Sequence, residues 1–178
     1  MTERSFVTPE IVATHFHLRP GDKIGDFGAG AGNFLAVLSR LVGPKGKVYA
    51  FEIQKNLVET LSDRARRERL GNVEAVWADI EAEHGTKIAD EALDVGIVIN
   101  TLFQAENRPG LVREITRTLR PGGRFVVVDW TESWGGLGPQ PGHVLSEAEA
   151  RSICESAGLT FENKFDAGGH HYGLAFRK

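Results

Sequence analysis

The sequence predicts an α/β fold in which a doubly wound sheet of five parallel strands is extended by a closing β-hairpin with an antiparallel last strand. Short apolar runs alternate five times with helical patterns, and parallel neighbours need such crossover connections. Two later apolar runs have no helix between them, which indicates a hairpin. Glycines at Gly28, Gly30 and Gly32 form a turn between the first strand and the next helix. We therefore expect one domain over residues 1–178, with helices on both faces.

The strands follow from compact apolar runs bounded by turn residues. Residues 48–53 and 93–99 are apolar on both faces, as buried parallel strands should be. The two hairpin strands flank the glycine-containing turn 166–171. The predicted strands span residues 23–27, 48–53, 73–77, 93–99, 124–129, 160–165 and 172–176.

Apolar residues at helical spacing separate these strands, and capping residues mark the helix ends. Thr8 and Pro9 suit an N-cap and a first helical residue, so residues 1–19 should form an arm and a short helix that cover a cofactor site. Ser146 and Glu149 form a capping box. Residues 120–123 form a predicted turn. The longer predicted helices span residues 33–42, 55–70, 109–119 and 146–157.

Composition excludes several classes of protein. The formal net charge is -3, so we expect neither nucleic acid nor an acidic membrane surface as a partner. The single cysteine, Cys154, rules out an internal disulfide and a cysteine-rich zinc site, and no metal site is predicted. No signal-like segment or membrane-length apolar stretch is present in the sequence, so we expect a cytoplasmic location.

Carboxylates and glycines follow the ends of the first four strands, where an open parallel sheet binds its ligands. Glu52, at the end of the second strand, can accept hydrogen bonds from two ribose hydroxyls. After the third strand, Asp79 can accept from an exocyclic amine, while the Ile80 amide donates to a ring nitrogen. These positions predict a nucleoside cofactor. The predicted cofactor-binding residues are Asp26, Phe27, Gly28, Ala29, Gly30, Gly32, Asn33, Glu52, Ile53, Asp79, Ile80, Asn100 and Thr101.

The glycine spacing helps to distinguish a dinucleotide from a nucleoside cofactor that carries an amine. Dinucleotide-binding turns follow G-x-G-x-x-G, but here Asn33 occupies the sixth position and the third glycine comes one residue early, at Gly32. Asp26 would also place a negative charge near a pyrophosphate, whereas it suits a cationic amine. A nicotinamide-dependent reductase therefore remains an alternative hypothesis, and a cofactor carrying an amine is favoured.

At these positions the sequence resembles the class I S-adenosylmethionine-dependent methyltransferases, over almost the whole chain. The segments that carry the resemblance are residues 26–32, 51–52, 78–80, 94–100 and 119–123. The resemblance implies a Rossmann-like fold, S-adenosylmethionine as cofactor, and Asp26 holding the methionine amino group directly or through water. Residues 100–103 lack the Asn/Asp-Pro-Pro-aromatic motif of enzymes that methylate base amino groups.

The acceptor site is expected beyond the fourth and fifth strands and at the start of the antiparallel last strand. The predicted substrate-binding residues are Phe103, Gln104, Asp129 and Trp130. A general base or substrate hydrogen bonds are expected from His143, His170, His171 and Tyr172. Phe6 and Phe16 are expected to form a lid over the methionine end of the cofactor.

These expectations predict in-line methyl transfer from S-adenosylmethionine to an oxygen, nitrogen or sulfur atom of a small molecule. The alternatives are methylation of RNA or protein and a binding module without catalysis. Because the sequence has no large inserted cap domain, the pocket is expected to be shallow, or completed by the N-terminal arm or by the second subunit of a homodimer.

Overall fold

The computed structural model describes residues 7–178, and the predicted arm over residues 1–6, including Phe6, lies outside the described residues. The sheet has seven strands in the order β3-β2-β1-β4-β5-β7-β6. Strands β1 to β5 are parallel, and β7 is antiparallel to both β5 and β6, so the predicted doubly wound fold is confirmed. The strands are β1 Lys23–Phe27, β2 Lys47–Glu52, β3 Val73–Trp77, β4 Leu93–Ile99, β5 Leu119–Trp130, β6 Thr160–Asp166 and β7 His171–Arg177.

Helices cover both faces of this sheet and bury one apolar cluster on each. Leu35, Leu38 and Leu61 belong to the cluster under α1, α2 and α3, and Leu111 and Ile115 belong to the cluster under α4 and α5. Burial of each such side chain stabilises the folded protein by about 1.5–3 kcal/mol relative to leaving it exposed. The helices are α1 Pro9–Val12, α2 Leu35–Val42, α3 Lys55–Arg67, α4 Arg108–Thr118 and α5 Glu147–Ser156, with short 3₁₀ turns at Ala13–Phe16, Leu102–Gln104 and Pro141–His143. No helix in the described part of the chain is long and apolar enough to cross a bilayer.

Three predicted boundaries are wrong for identifiable reasons. Helix α3 ends at Arg67 instead of residue 70, and Arg69 has a positive φ angle of 56°. Helix α2 begins at Leu35 instead of residue 33, because Gly30 and Gly32 have positive φ angles of 53° and 77° and keep the chain in a turn. Strand β5 already begins at Leu119, where the sequence predicted a turn over 120–123. Leu119 pairs with Leu93, and the register then shifts before the regular ladder resumes.

A buried ionic network holds the loop between β3 and β4 against helix α4. The side chain of Glu114 is fully buried and accepts hydrogen bonds from the backbone of His84 and from the backbone and hydroxyl of Thr86. Arg117 donates to the same carboxylate at 2.7 Å and also pairs with Asp90. Despite burial, which acts in the opposite direction, hydrogen bonds from Arg117 and Thr86 lower the pKa of Glu114 to about 2. The network fixes the loop that follows Asp79.

Glu114→Gln should lower the free energy of unfolding by about 2 kcal/mol at pH 7, because it removes the charged partner of the partly buried Arg117 guanidinium. The folded-state pKa lies below the unfolded value near 4.5, so the contribution is present above that pH and is lost as the pH falls toward 2. Urea unfolding at pH 7 and pH 3 measures both effects. The matched control Glu74→Gln breaks a partly exposed pair with Lys47 and should change stability little. An equal loss at both pH values would contradict the assignment.

Candidate functional site

A cavity of about 780 Å³ lies beyond the carboxyl ends of β1, β2 and β4, where the topology of a parallel sheet places ligand sites. This volume is within the range of roughly 300–1,000 Å³ occupied by small-molecule sites. Its walls combine predicted cofactor residues with residues of the predicted acceptor end. The predicted residues that line it are Asp26, Gly28, Ala29, Gly30, Asn33, Glu52, Ile53, Asp79, Ile80, Asn100, Thr101, Gln104, Trp130 and His171.

The backbone of the glycine turn, residues 28–30, forms part of the cavity wall. Gly28 has a φ angle of 86°, and a Cβ atom there would lie 2.5 Å from the Thr101 hydroxyl oxygen, so a side chain would be both strained and obstructed. A Cβ atom on Gly30 would meet nothing within 4 Å, which leaves open space above this residue. The amides of Gly28 and Ala29 both donate to the carbonyl of Phe51, which ties the turn to the end of β2. Among the predicted loop residues, Phe27 and Gly32 are buried and pack beneath the turn instead of lining the cavity.

Glu52 is held rigidly at the cavity wall. Its Oε1 accepts hydrogen bonds from the amides of Ile53 at 2.9 Å and Gln54 at 3.0 Å, and its Oε2 accepts from the Gly30 amide at 3.1 Å. A carboxylate has about four acceptor sites, so Glu52 retains capacity for a further donor. The residue thus presents an oriented anionic acceptor where the sequence predicted ribose recognition.

Asp26 is only 4% exposed, and no residue in 7–178 donates a hydrogen bond to its carboxyl group. Burial, reinforced by the charge of Glu52, raises the pKa of Asp26 to about 7. A positively charged group in the cavity would favour the ionised form, because an opposite charge offsets both causes of the shift. This environment fits a cofactor that carries an ammonium group.

Asn100 offers a second unpaired acceptor. The residue has a left-handed φ angle of 54°, held by its own amide donating to Val128 and by its carbonyl accepting from the Gln104 side chain. Its Oδ1 is buried without a hydrogen-bond partner, while the residue lines the cavity. Buried polar atoms are normally paired, so a donor on a bound molecule would complete this site.

The end of the cavity near β3 contains two structural features that sequence reasoning missed. The indole Nε1 of Trp77 donates to the Ile53 carbonyl at 2.7 Å and fixes the backbone beside Glu52. A Cβ atom on Gly85 would lie 1.9 Å from the Asp79 carbonyl oxygen, so only glycine allows the loop to close behind Asp79. An isolated glycine in a polar stretch was the one available signal for this close approach. Ile53, 53% exposed, and Ile80 provide apolar surface at this end.

At the acceptor end, the structure separates residues that were predicted to share one rim. His171, Trp130 and Gln104 line the cavity, together with Val7 and Pro9 of the N-terminal segment, which the sequence had assigned only a general covering role. The predicted lid residue Phe16 is fully buried in the core instead of lining the cavity.

The other predicted acceptor residues do not line this cavity among the described residues, each for a physical reason. His143 lies exposed in a 3₁₀ turn. His170 pairs with Glu132 and stacks on Trp134.

Three further residues point into the protein. Tyr172 is buried in the core, where its hydroxyl donates to the Leu145 carbonyl. Asp129 is fully buried and accepts from the amides of Trp130 and Phe103, and burial raises its pKa to about 6. Phe103 packs against the core cluster under α4 and α5. The structure therefore gives Tyr172, Asp129 and Phe103 structural contacts.

Among the described residues at this end, His171 is the titratable group that lines the cavity. Its Nδ1 lies 2.8 Å from the Gly169 carbonyl oxygen, an acceptor, so Nδ1 carries the proton and Nε2 is the basic nitrogen. Burial lowers the pKa of His171 below its ordinary value of 6.5, which keeps the imidazole neutral near pH 7. Nε2 is buried without a hydrogen-bond partner, and the Trp130 ring packs against the imidazole with centroids 4.1 Å apart.

Known proteins share this fold and sequence pattern. A family model described as a methyltransferase domain matches residues 18–165, which is most of the chain. The chain belongs to the methyltransferase domain family. The predicted resemblance to class I S-adenosylmethionine-dependent methyltransferases is thereby confirmed, and this enzyme class is favoured over a nicotinamide-dependent reductase. S-adenosylmethionine is the cofactor of this class, as predicted.

Individual relatives agree with this assignment. The ubiquinone/menaquinone biosynthesis C-methyltransferase UbiE of Pasteurella multocida is 32% identical over 116 residues, which cover 65% of this chain and 42% of the relative. UbiE of Pseudomonas entomophila is 31% identical over 116 residues, covering 65% and 44%. The chain thus spans less than half the length of these curated relatives.

Solved structures show the same architecture. The crystal structure of a SAM-dependent methyltransferase from Aquifex aeolicus has a TM-score of 0.88 and 28% identity, and the match covers 97% of this chain and 90% of that one. Geranyl diphosphate C-methyltransferase from Streptomyces coelicolor shares the fold, with a TM-score of 0.78, 15% identity and coverage of 95% and 78%.

Asp26→Asn should change stability and cofactor binding in opposite directions. The folded-state pKa of about 7 lies above the unfolded value of 3.8, so the carboxyl group destabilises the ligand-free protein increasingly as the pH rises from about 4 through 7. The amide removes this penalty, so Tm should rise by at least about 3 °C at pH 8 and change little at pH 4.

The same substitution should weaken S-adenosylmethionine binding at least tenfold, because it removes the carboxylate that pairs with an ammonium group. Thermal melts and calorimetry measure the two effects. Asp63→Asn, on the exposed face of α3, is the control for charge removal. Unchanged cofactor affinity in Asp26→Asn would refute the role of this carboxyl group.

Variants of Asn100 separate backbone strain from side-chain recognition. Asn100→Gly should keep or slightly raise stability, because glycine adopts the left-handed conformation freely, but it should weaken cofactor binding several-fold by removing Oδ1. Asn100→Ala should weaken binding similarly and also lose about 1 kcal/mol of stability. Melting temperatures and calorimetric affinities distinguish the two contributions. Wild-type affinity in Asn100→Gly would show that Oδ1 does not contact the cofactor.

Proposed function

We propose that this domain transfers a methyl group from S-adenosylmethionine to an oxygen, nitrogen or sulfur atom of a small molecule. One observation carries the proposal: a single cavity of about 780 Å³ joins the cofactor residues at the strand ends to the neutral imidazole of His171. The cavity's size suits a cofactor with a small acceptor beside it, and a net charge of -3 gives no support for an RNA acceptor.

The residues on the cavity wall fit the cofactor. Asp26 would hold the ammonium group of the methionine part, Glu52 would accept hydrogen bonds from the ribose, and Asp79 with Ile80 would recognise the base. S-adenosylmethionine supplies an electrophilic methyl carbon on a positively charged sulfur. Because this carbon is reactive by itself, the chain contributes mainly by aligning an acceptor and by excluding water from the cavity.

His171 supplies the proton acceptor in this proposal. The Gly169 carbonyl fixes the proton on Nδ1 and leaves Nε2 to receive the proton that the acceptor atom releases. A donor on the acceptor also provides the hydrogen-bond partner that Nε2 lacks in the described structure. The Trp130 ring offers an adjacent apolar face for an aromatic acceptor.

Carbon methylation is the second candidate function, because the curated relatives at 30–32% identity are C-methyltransferases. A hydroxylated aromatic acceptor satisfies both candidates. Removal of its hydroxyl proton by His171 makes the oxygen nucleophilic and also activates the neighbouring ring carbons. The position of the new methyl group in the product distinguishes the two reactions.

Turnover with isotopically labelled S-adenosylmethionine and a panel of phenols, hydroquinones, thiols and amines tests the function. Mass spectrometry detects the labelled product, and NMR locates the methyl group. We expect a phenolic or hydroquinone acceptor to be methylated. Tight cofactor binding without turnover of any small acceptor would favour a binding module, or an RNA or protein acceptor, over the proposed reaction.

His171→Gln should lower kcat at least 100-fold for acceptors that must lose a proton, which is the usual range for a general base. In the wild type, kcat should fall on the acid side with a midpoint below the ordinary histidine value of 6.5, because burial lowers the pKa of His171. His84→Gln, an exposed histidine that does not line the cavity, is the control. A pH profile and kcat that His171→Gln leaves unchanged would contradict the assignment of the base.

A further inference from the structure

A second cavity, of about 470 Å³, lies at the same end of the sheet as the acceptor site. It is formed by the end of β6, the start of β7 and the segment that follows β5. His171 belongs to the walls of both cavities, so the second cavity adjoins the cofactor cavity at this residue. A molecule bound in the second cavity therefore contacts the group assigned above as the proton acceptor.

The charged side chains of the second cavity are predominantly acidic. Glu132, Glu147 and Asp166 contribute carboxylates, and Lys164 contributes one ammonium group. Lys164 Nζ is paired with Glu147 at 2.7 Å. Glu132 pairs with His170 at 2.8 Å through one oxygen. Because each carboxylate has about four acceptor sites, these pairings leave several free for a ligand.

Aromatic side chains complete the walls. Phe165 and His171 are buried and line this cavity beside the carboxylates, whereas Tyr172 borders it with its side chain directed into the core. Aromatic faces attract cations through their quadrupole, and the attraction strengthens when the cation is partly desolvated. Carboxylates combined with aromatic faces are a suitable environment for an organic ammonium group and a poor one for an anion. His171, 6% exposed with an unpaired Nε2, adds an unsatisfied acceptor to the same walls.

We propose that the second cavity binds the ammonium group of an amine-bearing methyl acceptor. The amine is the anchoring group, and the nucleophilic atom lies on the cofactor side of His171. The assignment of the ammonium group to the acceptor rests on the proposed function, because it requires methyl transfer in the adjacent cavity. The affinity of the cavity for an organic ammonium group does not depend on turnover.

The binding test compares two probes of similar shape on protein saturated with S-adenosylhomocysteine. Tyramine carries a phenol and an ammonium group, whereas tyrosol carries the same phenol and a neutral hydroxyl. We expect tyramine to bind at least tenfold more tightly by calorimetry. Equal affinities would overturn the proposal. Affinity for S-adenosylhomocysteine is measured separately, so a failure of the cofactor site is distinguished from a failure of the second cavity.

Two variants of exposed side chains should change tyramine affinity in opposite directions. Glu132→Gln removes a carboxylate from the cavity and should weaken binding about tenfold. Lys164→Gln removes the competing ammonium group, releases Glu147, and should tighten binding about threefold. Glu155→Gln removes the same charge from α5 outside the cavity and should have no effect. Changes in one direction for both cavity variants, or an equal loss in Glu155→Gln, would overturn the proposal.

Turnover decides whether the ammonium group belongs to the acceptor. With labelled S-adenosylmethionine, Glu132→Gln should raise KM for tyramine about tenfold, leave KM for tyrosol unchanged, and keep kcat within twofold. This pattern identifies an anchoring role that general loss of structure would not produce. Tyramine that binds in the cavity without being methylated, while tyrosol is methylated, would overturn the assignment to the acceptor and indicate a separate amine ligand.

Discussion

Two carboxyl groups buried side by side at the ends of β1 and β2 set the conditions for the whole cavity. Glu52 is satisfied by three amide groups, including that of Gly30, whereas Asp26 receives no hydrogen bond within residues 7–178. The strand order makes the two residues neighbours, and the glycine turn between them supplies the backbone donor. An arrangement that is costly for the empty protein becomes favourable when a cation enters. The ligand-free protein therefore carries an unfavourable electrostatic free energy at Asp26, and binding of a cation relieves it.

The sequence was sufficient to predict the parallel sheet and to select residues that line one cavity, because both follow from local patterns. Asp26 and Glu52 could be placed because each ends an apolar run, and strand ends converge in a parallel sheet. The boundary errors occur where long-range geometry overrides local pattern. Gly30 and Gly32 delay helix α2 through their positive φ angles, and Leu119 joins β5 by pairing with Leu93.

The acceptor end was less predictable, because it depends on which way neighbouring side chains face. His170 and His171 are adjacent in sequence, yet only His171 reaches the cofactor cavity. His170 adopts a left-handed conformation with a φ angle of 64° just before β7 begins, and the local sequence does not predict this conformation. Tyr172 faces the core, as successive residues of a strand alternate between sides. The contact between Thr86 and Glu114 was equally difficult to predict, since the two residues are 28 positions apart in sequence.

The predicted cofactor residues and the residues around His171 lie in different segments of the chain. The predicted cofactor residues lie between residues 26 and 101, at four consecutive strand ends, whereas Trp130, His171 and the walls of the second cavity lie between residues 130 and 172. The two regions meet because β5 pairs with β4 on one side and with β7 on the other. Under the proposed function, exchange of the C-terminal region between relatives within this fold would alter acceptor choice and leave the predicted cofactor residues unchanged. The order of the strands along the chain would then allow substrate preference to change independently of cofactor binding.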